Sequence, residues 1–299
     1  MRRMGTSALL IATLVLSFGV GGLSAAMMPT VGLALSTLNN PFFVDLRDGA
    51  QAEAGKVGVG LTVLDAQNDP AKQASEIEDL IAKKVGVVII NPTDSDAIVP
   101  TVKKLNAAKI PIVTVDRAAN GGVVAAHIAS DNVAGGKMAA EYVAKRLGGK
   151  GNVVMLEGIA GSSAARDRGR GFREGMARFP GIKIAASQTA DFDRAKGLSV
   201  MENILQAQRK IDAVFAQNDE MALGAVQAIA AANRQKEMFV VGFDAIADAL
   251  KAIKEGRMAA TIAQQPKVMG QLAVQAAAKI LKGETVAKFT PVPLALIKQ

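Results

Sequence analysis

Cysteine and tryptophan are absent from this 299-residue chain, and histidine and tyrosine occur once each. Without cysteine there is no disulfide bond, no thiolate metal site and no cysteine nucleophile. Catalysis near pH 7 and structural zinc sites both lean on histidine. The lone His127 stands in an apolar run with no matching triad, so a structural histidine is the simpler interpretation. We therefore expect a protein that is not an enzyme, with no catalytic residue, no metal and no cofactor.

Runs of one charge are also lacking. The formal net charge is +8, but no five consecutive residues are Lys or Arg, so we do not expect a nucleic-acid partner. The chain is 50% hydrophobic and 21% charged, which is an ordinary globular balance. Its length is consistent with two domains or one large one.

The first 26 residues are typical of a secretory signal peptide. Arg2 and Arg3 precede an apolar stretch over residues 8–20, and the small residues Ser24, Ala25 and Ala26 follow. The apolar stretch is too short for a comfortable transmembrane helix. The alternative is a buried N-terminal helix. We expect cleavage after Ala26 and an exported, soluble mature chain.

After residue 30, short apolar runs rich in Val and Ile alternate with longer amphipathic stretches. The predicted strands are Val31–Ser36, Leu61–Asp65, Val85–Ile90, Ile112–Val115, Val153–Leu156, Ile182–Ala186, Ala213–Ala216 and Phe239–Gly242. Eight predicted helices lie between them, from Pro41–Lys56 to Ala245–Glu255. This alternation predicts parallel sheets covered on both faces. It pauses over residues 121–132, where a short strand (Val123–Ile128) intervenes, so we predict two similar doubly wound α/β units in series.

Polar residues follow the predicted strands where a ligand of such sheets would bind. They are Asn39, Asn40, Asn91, Asp116, Arg117, Asn218, Asp219 and Asp244. Asn donates and accepts hydrogen bonds, Asp accepts them and Arg donates in a fixed fork. Such a set can saturate the hydroxyls of a sugar, whereas a phosphate or carboxylate ligand would call for mainly cationic donors.

Aromatic residues make up only 4% of the chain, so their positions are informative. Phe42 and Phe43 follow the first strand, and Phe192 lies in a loop before a helix. A flat apolar ring can cover the C–H face of a sugar. On composition alone, burial of all three in the core is an equal alternative.

A glycine-rich segment, residues 158–166, opens a helix. It lacks the Gly-Lys-Ser/Thr ending of a phosphate-binding loop and the spacing of a dinucleotide fingerprint, so we interpret it as a tight turn. Four arginines follow, at 166, 168, 170 and 173, and most are expected to be solvated. Arg166, nearest the helix N-terminus, is the one we expect to face the cleft.

Several segments of the sequence also resemble those of a known family. They are STLNNPFFVDLRDGA (36–50), INPTDSDA (90–97), HIASDN (127–132), GIAGSSAARDRGRGF (158–172), ADFDRAKGL (190–198), AVFAQNDEMALGA (213–225), VVGFD (240–244) and AATIAQ (259–264). With these strings the chain resembles the type I periplasmic sugar-binding proteins of ABC importers, most closely the members that bind ribose. The resemblance covers about residues 31–299.

This resemblance implies a fold, a ligand and partners. The fold is two similar doubly wound parallel-sheet lobes with a three-segment hinge near Ser130, Gln264 and about Pro291. After a signal peptide (1–26), the N-terminal lobe comprises 27–130 plus about 265–291, and the C-terminal lobe 131–264 plus about 292–299. The partners are D-ribose (or a close relative such as allose), the importer's membrane subunits and, by analogy, a chemotaxis receptor. A monomeric protein in the periplasm is expected.

The resemblance also assigns the ligand-binding residues. They are Asn40, Phe42, Phe43, Asn91, Asp116, Arg117, Arg166, Phe192, Asn218, Asp244 and Gln264. The three phenylalanines would cover the sugar ring and the others would bond its hydroxyls. Two other classes share the fold: sensor cores of transcriptional regulators and doubly wound enzymes. A regulator would begin with a DNA-binding motif where this chain has a signal-like segment, and an enzyme would need a nucleophile, base or cofactor loop.

Overall fold

The structure, a computed structural model, describes residues 28–298. The predicted signal peptide therefore lies outside the described residues. Within them the chain forms two six-stranded sheets, each packed between helices. The predicted fold class, two α/β lobes built on mostly parallel sheets, is confirmed.

The N-terminal lobe is built on a sheet in the order β11-β5-β4-β3-β1-β2, in which every pairing is parallel. Its strands are β1 (Thr30–Leu35), β2 (Gly60–Asp65), β3 (Val87–Ile90), β4 (Ile112–Val115), β5 (Ala126–Ala129) and β11 (Phe289–Pro291). Its helices are α1 (Pro41–Val57), α2 (Pro70–Ala82), α3 (Val99–Ala107) and α9 (Pro266–Leu281).

The C-terminal lobe is built on a sheet in the order β12-β10-β9-β8-β6-β7, in which β12 alone runs antiparallel to its neighbour. Its strands are β6 (Lys150–Glu157), β7 (Gly181–Thr189), β8 (Ala213–Ala216), β9 (Phe239–Asp244), β10 (Ala260–Ala263) and β12 (Ala295–Lys298). Its helices are α4 (Asn132–Arg146), α5 (Ser163–Met176), α6 (Arg194–Ala207), α7 (Asp219–Ala231) and α8 (Ala247–Lys254).

The chain passes between the lobes three times within residues 28–298. The first crossing joins β5 to α4, the second joins β10 to α9, and the third joins β11 to β12. Two of these crossings lead directly into a helix, α4 or α9. Residues at the carboxyl ends of strands in both sheets line one cavity between the lobes.

The strands form where the apolar runs lie because both faces of each sheet are covered. All four residues of β3, β4 and β8 are buried. Five of the nine helices in residues 28–298 begin where a short polar side chain accepts from a free backbone N–H, as Asn40 does from Phe42 N and Asp131 from Ala134 N. Pro41 then occupies the first helical position of α1, where its missing N–H costs nothing.

Reciprocal glycine contacts bring three pairs of helices close together: α6 with α7, and two pairs that adjoin the crossings between the lobes. A Cβ on Gly136 of α4 would lie 2.2 Å from the carbonyl oxygen of Arg168, and one on Gly171 of α5 would lie 2.1 Å from that of Val133. The same relation joins α1 and α9, where a Cβ on Gly270 would lie 2.1 Å from Leu46 O. In the α4–α5 and α1–α9 pairs, one helix (α4 or α9) follows a crossing between the lobes. Its partner (α5 or α1) carries residues that line the cavity between the lobes.

The predicted strands and helices that we named all occur, with shifted ends. The largest shift is in α3. The sequence pattern predicts this helix over Ser95–Ala108, but it begins at Val99, because the carboxylate of Asp94 accepts from the N–H groups of Asp96 and Ala97 and holds a separate turn. Helix α9 and the strands β10, β11 and β12 were not predicted from the sequence. None of the helices between residues 28 and 298 combines the length and apolarity needed to span a bilayer.

Candidate functional site

A cavity of about 240 Å³ lies between the lobes at the carboxyl ends of the strands. Residues of both lobes and of the second crossing line it: Asn40, Phe42, Phe43, Asp116, Arg117, Ala164, Arg168, Phe192, Asn218, Asp244 and Gln264.

Aromatic rings reach the cavity from both lobes. The capped start of α1 places Phe42 and Phe43 there, with their ring centroids 5.1 Å apart and their planes perpendicular. Phe192 reaches it from the C-terminal lobe, in a left-handed backbone conformation (φ 60°). Its ring lies against Gly158, where a Cβ would come within 2.1 Å of the ring. The absence of a side chain at residue 158 therefore allows the ring of Phe192 to approach the backbone closely.

Asp116 and Arg117 follow β4 at the N-terminal side of the cavity. Asp116 adopts a left-handed conformation (φ 62°), and its N–H donates to Ile128 O at 2.8 Å. The Nδ2 atom of Asn91 donates to the Asp116 carboxylate at 3.1 Å. The guanidinium of Arg117 lies 3.7 Å from the same carboxylate and donates to Pro92 O. The two charges are thus buried side by side.

Arg168 and Asp244 form the corresponding pair in the C-terminal lobe. The Nε atom of Arg168 donates to Asn132 Oδ1 at 2.8 Å, and its Nη1 atom donates to Gln217 O at 2.7 Å. The same Nη1 atom lies 3.6 Å from Asp244 Oδ1. Asp244 also accepts from Gln264 Nε2 at 2.8 Å, which ties the end of β9 to the second crossing.

Asn40 and Asn218 are helix caps as well as cavity residues. The side-chain oxygen of Asn40 accepts from Phe42 N, so its NH₂ group remains to donate to a ligand. Asn218 accepts from Met221 N and donates from Nδ2 to Phe192 O at 3.1 Å. Asn218 therefore holds the loop that carries the Phe192 ring.

Three buried polar atoms in the cavity wall have no hydrogen-bond partner among residues 28–298: Asp116 Oδ1, Arg117 Nε and Gln264 Oε1. Burying a polar group without a partner is costly, so native proteins rarely leave such atoms unpaired. A donor and two acceptors gathered at one cavity indicate a ligand that both accepts and donates hydrogen bonds.

Burial governs the ionisation of this cluster. Desolvation raises the pKa of Asp244 to about 7, although the charge of Arg168 opposes the shift. Desolvation also lowers the pKa of Arg117 to about 10 and lowers the pKa of Arg168. Both guanidinium groups remain charged at neutral pH.

Acidic and basic side chains are equal in number around the cavity. Two acidic residues, Asp116 and Asp244, face two arginines, Arg117 and Arg168. A phosphate or carboxylate would need an excess of cationic donors, whereas a neutral polyhydroxylated ligand needs donors and acceptors in similar number. No group of three or more His, Asp and Glu side chains in residues 28–298 is arranged to hold a metal ion.

The structure brings nine of the predicted site residues to the cavity and leaves two outside it. Asn91 is fully buried behind the wall, where it donates to Val115 O and Asp116 Oδ2 and accepts from Ser36 N. It positions Asp116 and does not itself face the cavity. Arg166 is exposed and lies outside the cavity.

The expectation that Arg166 faces the cleft is corrected by the structure, which places this side chain on the surface. Its guanidinium donates to Gly161 O at 3.0 Å and, across the lobes, to Asn120 Oδ1 at 3.2 Å. The reason is helical geometry: α5 begins at Ser163, and residue 166 falls on its solvent face. Arg168, which we expected to be solvated, occupies the cavity wall instead.

The sequence contained a signal for Arg168 that the proximity argument missed. Ala164, Arg168, Phe172 and Met176 recur every four residues and are all buried. An arginine that shares this spacing with apolar residues lies on the buried face of the helix. Ala164, which also lines the cavity, lies on the same stripe.

The lobes touch directly beside the cavity. Ser95 N donates to Gly161 O at 2.9 Å, and Ser163 N donates to Ser95 Oγ at 3.1 Å. The hydroxyl of Ser163 accepts from Ala118 N at 2.9 Å. Together with Arg166, these bonds join the edge of the cleft, so the structure shows the two lobes closed on the cavity.

Comparison with known proteins gives a consistent result. A family model described as a periplasmic binding protein domain matches residues 31–285. The ribose import binding protein of Haemophilus influenzae is 52% identical over 276 residues, which cover 92% of this chain and 94% of that protein. The ribose import binding protein of Bacillus subtilis is 50% identical, covering 90% of this chain and 87% of the other.

A solved structure shares the fold as well. An ABC transporter solute binding protein from Bacillus halodurans with bound myo-inositol superposes with a TM-score of 0.86 at 34% identity. The match covers 91% of this chain and 94% of that protein.

Proposed function

The chain belongs to the periplasmic binding protein family. We propose that it binds D-ribose between its lobes and delivers the sugar to an ABC-type importer. Its relatives are binding proteins of importers and not enzymes, in agreement with the sequence analysis. The remaining question is which ligand the cavity takes.

The observation that carries the proposal is the closed cavity itself. It combines aromatic rings from both lobes with two acidic and two arginine side chains. Rings cover the C–H faces of a sugar, and the polar groups bond its hydroxyls. The two ribose import binding proteins are 50–52% identical, whereas the D-allose-binding periplasmic protein of Escherichia coli is 35% identical. This difference favours ribose over allose.

Binding would be coupled to closure of the lobes. We propose that 27–130 with about 265–291, and 131–264 with about 292–299, move as two rigid units about the three crossings. The sugar would join the acids and arginines of both units. Each hydroxyl that fails to pair would leave a buried group unsatisfied, at a cost of about 1–3 kcal/mol. Epimers should therefore bind more weakly.

Titration calorimetry on residues 27–299 tests the ligand. We expect ribose to bind, with allose, xylose, arabinose and galactose at least ten times weaker. Tight binding of another of these sugars, with no heat from ribose, would overturn the ribose assignment while keeping the class of protein. No heat from any sugar would overturn the proposed function.

We propose that the protein is exported to the periplasm, and residues 1–26 support this proposal. The basic head, apolar stretch and small residues before position 27 favour cleavage after Ala26. Intact-mass measurement of the protein from the periplasmic fraction tests this, and a chain that retains residues 1–26 would contradict it.

We propose a monomer as the working form and a chemotaxis receptor as a second partner after the importer. Multi-angle light scattering of the ribose-bound protein should give the mass of one chain. A dimer mass would contradict the first proposal. Unchanged ribose taxis in cells that lack the protein would contradict the second.

A further inference from the structure

Asp219 is a buried acidic residue next to the cavity residue Asn218. Its own side chain does not line the cavity. It is the first residue of α7, directly after the cap Asn218, and its side chain is fully buried. In the described part of the chain it forms no ion pair. Burial raises the pKa of Asp219 well above its usual range, and the charge of Asp244 adds to the shift. A buried acid is costly to retain, so its presence at this position calls for an explanation.

Its hydrogen bonds lead to the backbone of another site residue. The Oδ2 atom of Asp219 accepts from Ile246 N at 3.0 Å, and its Oδ1 atom accepts from Thr261 Oγ1 at 2.7 Å. Ile246 lies two residues beyond Asp244, and Thr261 pairs with Gly242 across β9 and β10. Asp219 thus joins the start of α7 to the turn that ends β9.

That turn has an unusual backbone. Asp244 has φ 120° and Ala245 has φ 64°, both values that residues other than glycine rarely adopt. Strained backbone persists only when surrounding groups hold it. The N–H that Asp219 accepts comes directly after these two residues. Gly242 leaves space for the carboxylate, since a Cβ there would lie 2.1 Å from Asp219 Oδ1.

We propose that Asp219 is a positioning residue that acts through Asp244: it holds the strained 244–245 turn and so aims the Asp244 carboxylate into the cavity. The inference rests on the proposed function, in that Asp244 must contact the sugar. The inference adds to the site a residue that does not touch the sugar. Asp219 determines how strongly Asp244 binds the sugar.

A double-mutant cycle tests the role. Asp219→Asn has nearly the same shape but replaces one acceptor oxygen with an NH₂ group, which cannot accept both hydrogen bonds. We expect it to lower sugar affinity at least tenfold in the wild-type background. In the Asp244→Asn background the same change should cost less than twofold, because the group through which it acts is already altered. Equal losses in the two backgrounds would overturn the inference, as would an unchanged affinity of Asp219→Asn.

Glu53 offers a matched control. It is another buried carboxylate, in α1, and it accepts from Gln275 Nε2 at 2.8 Å away from the cavity. Glu53→Gln should lower the melting temperature and leave sugar affinity within twofold. If Asp219→Asn does not fold, Thr261→Val carries the test. It removes one donor to Asp219 and should lower affinity about threefold, again only where Asp244 is intact; an unchanged affinity would overturn the inference.

The experiment separates this inference from the proposed function. If the wild-type protein binds a sugar other than ribose, the ribose assignment fails and the same cycle is measured with that sugar. If the wild-type protein binds no sugar, both fail. If ribose binds and the cycle shows no coupling, only the positioning role of Asp219 fails.

Discussion

The guanidinium of Arg117, in the N-terminal lobe, lies 5.4 Å from the ring centroid of Phe192, in the C-terminal lobe. The same group is 5.2 Å from the ring centroid of Phe43. A cation over a ring is worth about 0.5–2 kcal/mol, and more as it is desolvated. The pair therefore contributes to closure of the lobes as well as to the shape of the cavity.

Replacing Phe192 should weaken binding. Phe192→Ala removes the ring that we propose covers the sugar, and with it the face that Arg117 and Arg168 approach, so we expect sugar affinity to fall about 10- to 100-fold. Calorimetry measures the change. Phe239→Ala is the control, since Phe239 also has an arginine over its ring, with Arg146 at 4.7 Å, but lies away from the cavity. An equal loss of affinity in the two variants would show that the effect comes from general destabilisation.

The two arginines of α5 should behave differently. Arg168→Gln removes a buried charged donor from the cavity wall. A hydrogen bond to a charged group is worth about 1.5–3 kcal/mol, so binding should fall about 10- to 100-fold. Arg166→Gln removes an exposed contact between the lobes worth at most about 1 kcal/mol, so affinity should fall no more than about fivefold. Titration of both variants with ribose checks this. Similar losses of ribose affinity in the two variants would contradict this prediction and show that Arg166 contributes to the binding site.

The contrast between these arginines shows how far the sequence could predict the site. Strand ends alone located Asn40, Asp116, Arg117, Asn218 and Asp244, because parallel strands place their carboxyl ends at one edge. The expectation for Arg166 used distance from the helix start, whereas the side a helical residue faces depends on its 3.6-residue period.

Other features depended on tertiary contacts. Asn91 ends a buried strand like its neighbours, but its direction toward Asp116 is set by Val115 O and Ser36 N, which only the folded sheet brings near. Helix α9 and the strand β11 pair with elements more than 150 residues earlier in the chain. Short strands stabilised by such distant partners carry little local signal of their own.

The ionisation of Asp244 predicts a pH dependence of stability. Its pKa is raised to about 7 in the folded protein, first by burial. Between about pH 4 and 7 the folded state therefore binds more protons than the unfolded state, and the unfolding free energy falls as the pH rises. One such group contributes a slope of up to about 1.4 kcal/mol per pH unit. Urea unfolding of sugar-free protein at several pH values should show a shallower decline in Asp244→Asn. Parallel profiles would contradict the shifted pKa.

The crossing of α4 and α5 should control the position of Arg168. A Cβ on Gly136 would lie 2.2 Å from Arg168 O, so Gly136→Ala must push the helices apart. Overpacking of this kind costs about 1–3 kcal/mol of stability. Because Arg168 is on the displaced segment and its Nε bonds Asn132 at the start of α4, we also expect sugar affinity to fall about tenfold, since buried charged contacts depend steeply on geometry.

Gly55→Ala is the matched change at a helical glycine with open space, since nothing lies within 4 Å of a Cβ there. It should raise the unfolding free energy by up to about 1 kcal/mol and leave affinity unchanged, because alanine is the better helix former. Urea unfolding and calorimetry on both variants separate stability from binding. If Gly136→Ala loses stability but keeps its affinity for the sugar, then the spacing of α4 and α5 does not determine where Arg168 meets the ligand, and Asn132 and Gln217 alone hold the guanidinium in place.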